Sequence, residues 1–444
     1  MEKNSNGNGN GNGAGDGKHE DPLKFLFISH ESLSGDLAWS LIKEGHHVRA
    51  YIENKNDDDV YEGFIERVDK PDDHYALADV IVFDDTGFGE LAEKLRKEGK
   101  KVVGGSIYTD RLEEDREFGQ KEMEDSGITI LPHWDFDDYE KAIAFLKENP
   151  GRYVYKPSGT ISSEFKGLLF IAHDEDGADL IEVIEHNKKS LTKKIPRFQL
   201  QKFLSGVEVA VGAFFNGKEF ITPINVNFEH KRLFNGEVGP STGEMGTLMY
   251  WDDPNTLFKE TLAKMADRLA ISGYVGYFDI NCMVNHRSVY PLEATCRFGY
   301  PTISIQMEGI QSNMGEFLNA IASGENYELK TKRGFQIGVV IAVPPFPFND
   351  PSEFKIYKDS SIIFKKDNLD GFHLGDVKLV DGDWKLAGES GYALIVTGSG
   401  ITVEEARKQA YSRIKNIILQ NMYYRTDIGT RWYLDSDKLQ TWGY

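Results

Sequence analysis

The residues of this sequence with the clearest chemical potential lie in the stretch YFDINCMVNHRSVYPLEATCRFGYP. Two apolar runs flank the polar turn 285–288, which predicts a β-hairpin with Asp279 on its first strand and Glu293 on its second. Side by side, the two carboxylates would repel each other unless a cation neutralised them, and Mg²⁺ prefers such hard oxygen ligands. Arg297 could then stabilise an anionic transition state. The alternative is a solvated or salt-bridged pair without metal.

A second stretch, RYVYKPSGTISSEFKG, is typical of a phosphate contact. Lys156 stands at the end of a β-branched and aromatic strand, and a loop of small residues leads from it to Lys166. Loops of Gly and Ser expose backbone N–H groups to phosphate, and flanking lysines add positive charge. The spacing is not that of a Walker loop. An ordinary turn with surface lysines explains the pattern equally well.

A third stretch, QLQKFLSGVEV, predicts a strand that is interrupted at Ser205 and Gly206 and resumes near Glu208. The backbone at such a strand end can hydrogen-bond the edge of an adenine ring. A nearby carboxylate can accept hydrogen bonds from the ribose hydroxyls. The alternative is a plain β-bulge.

Charge and composition exclude several classes of function. The 71 acidic and 51 basic residues give a net charge of -20, which disfavours a nucleic-acid binder. No apolar run approaches the ~20 residues of a membrane span, and the first residues do not resemble a secretory signal. Cys282 and Cys296 stand in apolar sequence, which favours buried thiols over a disulfide. A cytoplasmic protein is expected.

The elements that must position the chemical residues alternate between helix and strand. Residues 1–21 are rich in Asn, Gly and charged residues and are predicted to be a disordered tail. Strands at KFLFIS, VRAYIE, DVIVFDD and KKVVGGS, with helices at 36–44 and 90–98, predict a small parallel sheet wrapped by helices. This N-terminal domain is expected to span residues 22–120.

A central body is predicted over residues 121–330 and a small α+β domain over 331–435. The predicted strands of the central body are GITILP, RYVYKPSG, FQLQKFL, VEVAVGAFF and YVGYFDINCMV. Those of the last domain are IGVVIAVP and GYALIVTGS. Helices are predicted at 139–148, 256–272, 314–322 and 402–420. The predicted fold class is therefore α/β and α+β.

Taken in order, these stretches resemble the ATP-grasp superfamily, and within it the phosphoribosylamine-glycine ligases (glycinamide ribonucleotide synthetases) of purine biosynthesis. The most specific is EHKRLFNGEVGPSTGEMG, Glu229 to Gly246, which is similar to the signature DHKR...DGDxGPNTGGMG. LEATCRFGYP is similar to EFNARFGDPE, and GFHLGDVKLVDG resembles the FHAGT segment. MYYRTDIG, Met422 to Gly429, matches closely, and the likeness begins near Leu23.

The resemblance implies an ATP-grasp body with a lid at about 126–195 and ATP with Mg²⁺ (or Mn²⁺) as cofactors. The implied ATP contacts are Lys156, Ser158, Lys166, Gln201, Lys202, Phe203, Leu204 and Glu208. The implied metal ligands are Asp279, Glu293 and Thr295. The implied catalytic residues are His230, Lys231, Arg232 and Arg297. The implied substrate contacts are Ser32, Gly35, Ser241, Thr242, Gly243, Glu244, Met245, Gly246 and Arg297.

The implied reaction joins a carboxylate, glycine in this family, to an amine through an acyl phosphate. Cations placed on the phosphoryl oxygens serve such chemistry better than a protein nucleophile does. The expected partners are therefore small molecules, not a nucleic acid polymer or a membrane, and the chain is expected to be a monomer or a homodimer. The alternative is a degenerate nucleotide-binding homologue without ligase activity.

Three departures from the family pattern concern the metal and the amine substrate. Thr295 stands where the family has an Asn ligand, and its shorter reach predicts a weaker metal contact. The glycine-rich phosphate loop (GxGGREHAL-like) is here SHESLSGDLAW, in which Glu31 and Asp36 would repel a phosphate unless they are paired. The GPE motif appears as DDTGFGE. The nucleotide side is largely kept, so a changed amine acceptor is expected.

Overall fold

Three sheets organise the protein in the structure, a computed structural model that describes residues 21–158, 168–348 and 350–444. They are a five-stranded sheet, a four-stranded sheet and an eight-stranded sheet, and the described residues also form two-stranded ribbons. Helices pack between and around them, which confirms the predicted mixed α/β class. In the part of the chain that the structure describes, no helix is long and apolar enough to cross a membrane.

The N-terminal sheet is parallel, as predicted, with the strand order β3-β2-β1-β4-β5. Its strands are β1 Lys24–Ser29, β2 His47–Ile52, β3 Glu66–Arg67, β4 Val80–Phe83 and β5 Val102–Val103. Its helices are α1 Gly35–Lys43, α2 Gly89–Lys97, α3 Ile107–Glu114 and α4 Arg116–Asp125, with 3-10 turns at Lys55–Asp57 and Pro71–His74. Strand β4 is buried throughout because α1 and α2 pack on opposite faces of the sheet.

A four-stranded antiparallel sheet with the order β6-β9-β7-β8 follows. Its strands are β6 His133–Phe136, β7 Tyr153–Ser158, β8 Phe170–Ile171 and β9 Arg197–Lys202, and its helices are α5 Tyr139–Glu148 and α6 Ala178–Lys194. They enclose a core of their own around Phe198. The predicted strand at GITILP is wrong. Ile128 there packs into the main core of the protein, so its apolar character anchors a connection and not a strand.

The large sheet is antiparallel and has the order β16-β15-β10-β11-β14-β17-β22-β19. Its first strands along the chain are β10 Val207–Phe215 and β11 Ile224–Glu229. The ribbon of β12 Arg232–Phe234 and β13 Val238–Ser241 follows. The sheet continues with β14 Gly246–Asp252, β15 Gly276–Val284, β16 Val289–Thr295 and β17 Phe335–Ala342. Strands β19 Phe372–Leu374 and β22 Tyr392–Gly400 complete it. Outside it, β18 Ile363–Phe364 pairs with β23 Ile417–Ile418, and β20 Val377–Val380 pairs with β21 Asp383–Leu386.

The helices of this half correct two predictions. They are α7 Thr256–Glu260, α8 Leu262–Ser272, α9 Thr302–Gly309, α10 Met314–Ala322, α11 Pro351–Phe354, α12 Val403–Ile414 and α13 Trp432–Trp442. The single helix predicted at 256–272 is two helices, because Thr261 leaves helical geometry at φ -128 and ψ -89. The helix predicted at 402–420 ends at Ile414, because β23 pairs with β18.

One face of the large sheet is polar, and this face positions the candidate site. Side chains alternate between the two faces of a strand, and directly paired residues of neighbouring strands share a face. The register therefore places these residues on the polar face: Glu208, Asn225, Asn227, Glu229, Asp279, Asn281, Glu293 and Thr295. The opposite face is apolar, with Val209, Val211 and Phe228 in the main core.

Candidate active site

The hairpin predicted around Asp279 and Glu293 is present as β15 and β16, with one correction. Asp279 is paired directly with Thr295, whereas Glu293 is paired with Asn281. The two carboxylates are therefore diagonal neighbours on one face and not directly opposed. Burial raises the pKa of Asp279 well above its ordinary value, and the negative charges of Glu229 and Glu293 add to this effect.

Four carboxylates, Glu208, Glu229, Asp279 and Glu293, form what we call the central carboxylate cluster. Lys231 lies among them, with its Nζ 2.8 Å from Glu293 Oε1, 3.4 Å from Glu229 Oε2 and 3.6 Å from Glu208 Oε1. Glu208 and Glu229 belong to neighbouring strands of the sheet, and Lys231 follows β11 directly. One ammonium group thus partly neutralises three acids, of which Glu208 and Glu229 are half-buried and Glu293 is exposed.

The charge states within the cluster differ because the acids do not share Lys231 equally. The Lys231 ammonium lowers the pKa of Glu293 to about 2, although burial opposes this. Burial raises the pKa of Glu229, an effect that Lys231 only partly offsets. Burial alone would lower the pKa of Lys231, but Glu293 and Glu229 raise it well above its ordinary value. A site with this surplus of hard oxygen ligands suits a divalent cation.

Asn281 adds a neutral oxygen to the same face. Its Nδ2 donates to Glu229 Oε2 at 3.0 Å and to Glu208 Oε1 at 3.4 Å. Its Oδ1 is buried and has no hydrogen-bond partner among the described residues. Buried polar atoms without partners are uncommon in native proteins. The donor set therefore fits Mg²⁺, with carboxylate oxygens, the Thr295 hydroxyl and this amide oxygen available to it.

Two further cations approach the cluster from the four-stranded sheet and α4. Lys156 is buried at the end of β7, and its pKa falls to about 7 because of burial and the nearby charge of Arg116. Burial also lowers the pKa of Arg116, which Glu293 partly offsets. Ser158 ends β7 and is buried as well. The predicted phosphate contact Lys166 lies outside the described residues.

The residues predicted to line an adenine slot end strand β9 or follow it. Gln201 is buried, and its Nε2 has no hydrogen-bond partner among the described residues. Lys202 lies over the Tyr153 ring at 4.4 Å, and the Arg152 guanidinium lies 3.8 Å from the centre of the Phe203 ring. Leu204 follows, half-buried. Among these residues, Gln201 is thus the one with a buried side-chain N–H group that is available to a ligand.

His230 is not placed as predicted, because its ring is buried and both nitrogens are engaged. Gly429 N donates to Nε2 at 3.2 Å, so the proton on Nδ1 is directed to Glu237 Oε1 at 2.7 Å. Burial lowers the pKa of His230. A neutral ring in this arrangement holds the β12–β13 ribbon in place and has no nitrogen to offer a substrate.

Arg425 completes this arrangement and joins two of the sequence motifs. Its guanidinium is fully buried and lies 2.7 Å from Glu237 Oε1 and 2.8 Å from Asp427 Oδ2. Burial opposes ionisation of Glu237, but hydrogen bonds from His230 and Arg425 lower its pKa to about 2. The ligand atoms of His230, Glu237 and Asp427 lie within 4.8 Å of one another. Arg425 supplies the positive charge there.

The loop after the ribbon varies from exposed to buried. Arg232 donates to Gly239 O at 3.0 Å, and the Thr242 hydroxyl donates to Lys231 O at 2.9 Å. Ser241 and Gly243 lie outside the core, whereas Met245 and Gly246 are buried. Glu244 is only 7 % exposed, and its Oε1 has no hydrogen-bond partner among the described residues. Burial and the charge of Glu229 raise its pKa well above the ordinary value.

Arg297 lies just beyond β16 and contacts the N-terminal region. Its Nε is 3.1 Å from Glu113 Oε1 and 3.1 Å from Asp85 Oδ1, and Nη1 donates to Phe298 O at 3.0 Å. Glu113 Oε2 also accepts from Cys296 N at 2.6 Å. The predicted anion contact is thus already paired with two carboxylates, and the pairing connects the hairpin to the first domain.

The segment 29–39 is paired internally and with the C-terminal half. Asp36 accepts from the Ser304 hydroxyl at 2.9 Å and lies 2.7 Å from His373 Nδ1. Ser32 donates to Asp376 at 3.1 Å. Gly35 N donates to the Tyr61 hydroxyl at 2.7 Å, and a Cβ on Gly35 would meet the Tyr61 ring at 2.0 Å. The Ser32 hydroxyl and the Gly35 N–H, both predicted substrate contacts, are therefore engaged within the protein.

Sequence reasoning missed three residues that contact or charge the site: Glu229, Asn281 and Arg116. Glu229 heads the EHKR motif, and Asn281 stands two residues after Asp279 in an otherwise apolar strand. Because every second residue of a strand lies on the same face, the alternation of polar and apolar residues in these two strands could have identified both. Arg116 belongs to a charged helix and reaches the site only through tertiary packing. The sequence carries no local signal for it.

Comparison with known proteins gives consistent results. The family described as "Phosphoribosylglycinamide synthetase, ATP-grasp (A) domain" matches residues 114–303, and "Phosphoribosylglycinamide synthetase, C domain" matches 336–431. A phosphoribosylamine–glycine ligase of Caulobacter vibrioides is 29% identical over 354 residues, covering 77% of this chain and 80% of its own. One of Clostridium acetobutylicum is 24% identical over 431 residues, covering 92% and 99%.

Solved structures share the fold. A phosphoribosylamine–glycine ligase from Thermotoga maritima has a TM-score of 0.67 at 23% identity, covering 92% of this chain and all of its own. The biotin carboxylase domain of 2-oxoglutarate carboxylase from Hydrogenobacter thermophilus, solved with MgADP and bicarbonate, has a TM-score of 0.60 at 12% identity and covers 96% of each chain. The two family matches together span well over half of the sequence. This chain therefore belongs to the phosphoribosylglycinamide synthetase family of the ATP-grasp superfamily.

Proposed function

We propose that this protein is an ATP-dependent carboxylate–amine ligase that activates glycine as an acyl phosphate and transfers the acyl group to an amine. The observation that carries the proposal is the central carboxylate cluster, with Lys231 among its acids and Lys156 and Arg116 beside it. Its relatives are named for this reaction with phosphoribosylamine as acceptor.

The nucleotide would lie between the four-stranded sheet and the polar face of the large sheet. Gln201 and the backbone up to Leu204 would contact the adenine, and Glu208 would accept the ribose hydroxyls. Lys156, Ser158 and Lys166 would contact the phosphates. A phosphate beside Lys156 would restore the full charge of an ammonium whose pKa is now about 7.

Asp279, Glu293 and Thr295 would hold Mg²⁺, and Glu229 and Asn281 lie on the same face. The ion would neutralise the phosphate charge that develops during transfer. Lys231 would then exchange its carboxylate partners for the acyl phosphate, because a divalent cation competes for the same oxygens. Arg232 and the 241–246 loop would face the glycine.

Two bonds change in each half of the reaction. The glycine carboxylate oxygen bonds to the γ-phosphorus of ATP as the bond to ADP breaks, which yields the acyl phosphate and ADP. The neutral amine then attacks the acyl carbon, the carbon–oxygen bond to phosphate breaks, and phosphate leaves with the electron pair. The nitrogen loses one proton, which the departing phosphate oxygen takes up. Positioned cations do most of this work.

His230 has a positioning role in this proposal. Because both its ring nitrogens are engaged, it orients the ribbon that carries Lys231 and Arg232 and does not touch the acyl phosphate. Arg297 likewise joins the hairpin to Glu113 and Asp85, and only the part of its guanidinium outside those pairs would reach an anion.

Hydroxylamine trapping tests the proposal without knowledge of the acceptor. Hydroxylamine is a small nucleophile that converts an acyl phosphate to a hydroxamate. Purified protein with ATP, Mg²⁺, glycine and hydroxylamine should form glycine hydroxamate and ADP in equal amounts. Absence of hydroxamate with glycine and with a panel of other amino acids would instead support the degenerate nucleotide-binding alternative.

A further inference from the structure

The edge of the N-terminal sheet where β1 and β4 end has the geometry to hold the acceptor of the proposed ligase. The strand order reverses between these two strands, and ligands of open parallel sheets bind at such a reversal, beyond the carboxyl ends of the strands. Ser29 ends β1, and Asp84 follows β4. The family's phosphate loop would also lie here.

Asp84 is fully buried at this edge, yet it is only half satisfied. Its Oδ2 accepts from Ser29 Oγ at 2.9 Å, Ser34 N at 3.1 Å and Ser34 Oγ at 2.6 Å. Its Oδ1 has no hydrogen-bond partner among the residues that the structure describes. Burial raises its pKa to about 7. A buried carboxylate oxygen without a donor is costly, and a ligand cation would satisfy it.

Three further acids surround this edge, and with Asp84 we call them the N-terminal acidic cluster: Glu31, Asp57 and Asp376. Burial raises the pKa of Asp376 to about 7, with a further contribution from Asp57. Burial raises the pKa of Asp57 to about 6, and the charges of Glu389 and Glu31 add to this. Burial and the charge of Asp85 raise that of Glu31, which His30 partly offsets.

This electrostatic setting is opposite to what a phosphate ester requires. Ser32 and Ser390 donate to Asp376 and thereby use their hydroxyls on a carboxylate. Arg297, the guanidinium next to the cluster, is already paired with Asp85 and Glu113. A phosphate placed among these acids would be repelled, whereas an ammonium group would be attracted by each of them.

The acidic character continues toward the central carboxylate cluster. Tyr392 contacts residues of both regions, since Asp376 N donates to Tyr392 O at 2.8 Å and the Tyr392 side chain packs against the apolar cluster that contains Met245, next to Glu244. After burial, the charges of Glu244, Asp376 and Asp36 raise the pKa of its hydroxyl. That hydroxyl has no hydrogen-bond partner among the described residues, and the same holds for Glu244 Oε1. Glu244 stands in TGEMG, at a position that is Gly in the family signature TGGMG quoted above.

We propose that the amine acceptor is a small cationic amine without phosphate, of the diamine type, with one nitrogen near Glu244 and a second ammonium group held by Asp84 and Asp376. This inference rests on the proposed function and specifies its acceptor. Glu244 and Tyr392 would direct the reacting nitrogen toward the acyl carbon. The second ammonium group would satisfy the unpartnered oxygen of Asp84.

The test begins with binding to the purified full-length protein in the presence of Mg²⁺ and ADP. Isothermal titration calorimetry compares 1,3-diaminopropane and 1,4-diaminobutane with ribose 5-phosphate. We expect the Kd of at least one diamine to be about tenfold or more below that of ribose 5-phosphate, because two charge-assisted contacts replace repulsion. Equal affinities, a preference for ribose 5-phosphate, or no diamine binding would overturn the acceptor assignment.

A pair of matched variants locates the binding. Asp376→Asn removes one carboxylate of the cluster, and we expect it to raise the diamine Kd about tenfold. Asp381→Asn makes the same charge change on the exposed β20–β21 turn, where Asn tolerates the observed φ of 54, and should leave the Kd unchanged. Equal effects of the two variants would overturn the location. Because hydroxamate formation needs no acceptor, its presence together with a failed diamine result would refute only this inference.

Discussion

The central carboxylate cluster and the N-terminal acidic cluster each bring four acids together, but they differ in what balances them. Lys231 lies among the acids of the first, and Lys156 and Arg116 approach it. Serine hydroxyls donate to Asp84 and Asp376 in the second. Their effect on pKa differs accordingly: Glu293 falls to about 2, whereas Asp84 and Asp376 rise to about 7.

This difference separates two tasks on one molecule. Where acids and cations alternate, the ion pairs can rearrange when a metal–phosphate complex enters. The acids would then bind the metal, and the cations would bind the phosphate. The acids of the second cluster accept hydrogen bonds from uncharged groups such as serine hydroxyls, and a cationic ligand would relieve their unfavourable charge. The family likeness extends over both regions, but segment 29–39 of the second departs from the family's glycine-rich loop pattern.

The largest expected effect is a loss of activity on changing an acid of the central carboxylate cluster. Glu293→Gln should reduce ADP release at least about 1,000-fold, or ~4 kcal/mol, because it removes a charged metal ligand without changing the side-chain shape. Glu328→Gln, at an exposed position, is the matched control and should retain wild-type turnover. Wild-type turnover in Glu293→Gln, with a normal melting temperature, would remove the metal assignment.

A large effect on stability is expected where Arg425 balances Glu237 and Asp427. Arg425→Met leaves two carboxylates without their cation, and we expect the free energy of unfolding to fall by about 3 to 5 kcal/mol. Urea unfolding at neutral pH measures the change. Arg425→Lys keeps the charge and should recover part of the loss. If the Met variant unfolded at the wild-type urea concentration, the ribbon would not depend on this network.

Glu308 shows how a fully paired buried acid behaves and gives a pH dependence of known sign. Burial opposes its ionisation, but Arg413 and Lys332 lower its pKa to about 2. Because the pKa is depressed in the folded state, the stabilisation is complete above about pH 5 and is lost as pH falls toward 2. Glu308→Gln should therefore cost roughly 2 to 3 kcal/mol at pH 7 and progressively less at lower pH. A pH-independent difference in urea unfolding would contradict the pairing.

The smallest expected effect concerns Thr295. Thr295→Asn restores the ligand type of the family, and activity should stay the same or rise, by less than about tenfold, if the position faces the metal. The rate of hydroxamate formation and its Mg²⁺ dependence measure this. A loss of more than tenfold would mean that the local geometry has adapted to Thr.

Local patterns predicted much of the fold, whereas the nucleotide contacts named from them stay predictions. The β15–β16 hairpin, the parallel N-terminal sheet and helix α10 follow from apolar periodicity bounded by polar turns. The strand expected at 127–132 failed because buried apolar side chains that anchor a loop, here Ile128 and Leu131, look like part of a strand. The break at Thr261 is a tertiary adjustment inside a sequence of good helical propensity.

The partners of the site residues could not be predicted, because they come from distant parts of the chain. Arg425 meets Glu237 across 188 residues, and His373 meets Asp36 across 337. The sequence showed that Glu31 and Asp36 would conflict with a phosphate, but not that Asp36 is paired and Asp84 is not fully satisfied. The diagonal placement of Asp279 and Glu293 depended on one residue of register, which the turn alone did not determine.

Electron paramagnetic resonance of Mn²⁺ with ADP tests the central claim most directly, since it detects the metal at its proposed ligands without any acceptor. The wild-type protein and Glu328→Gln should bind Mn²⁺–ADP with the same affinity, and Glu293→Gln and Asp279→Asn should each weaken it about tenfold or more. Equal Mn²⁺–ADP affinity in all four proteins would show that these acids do not hold the metal.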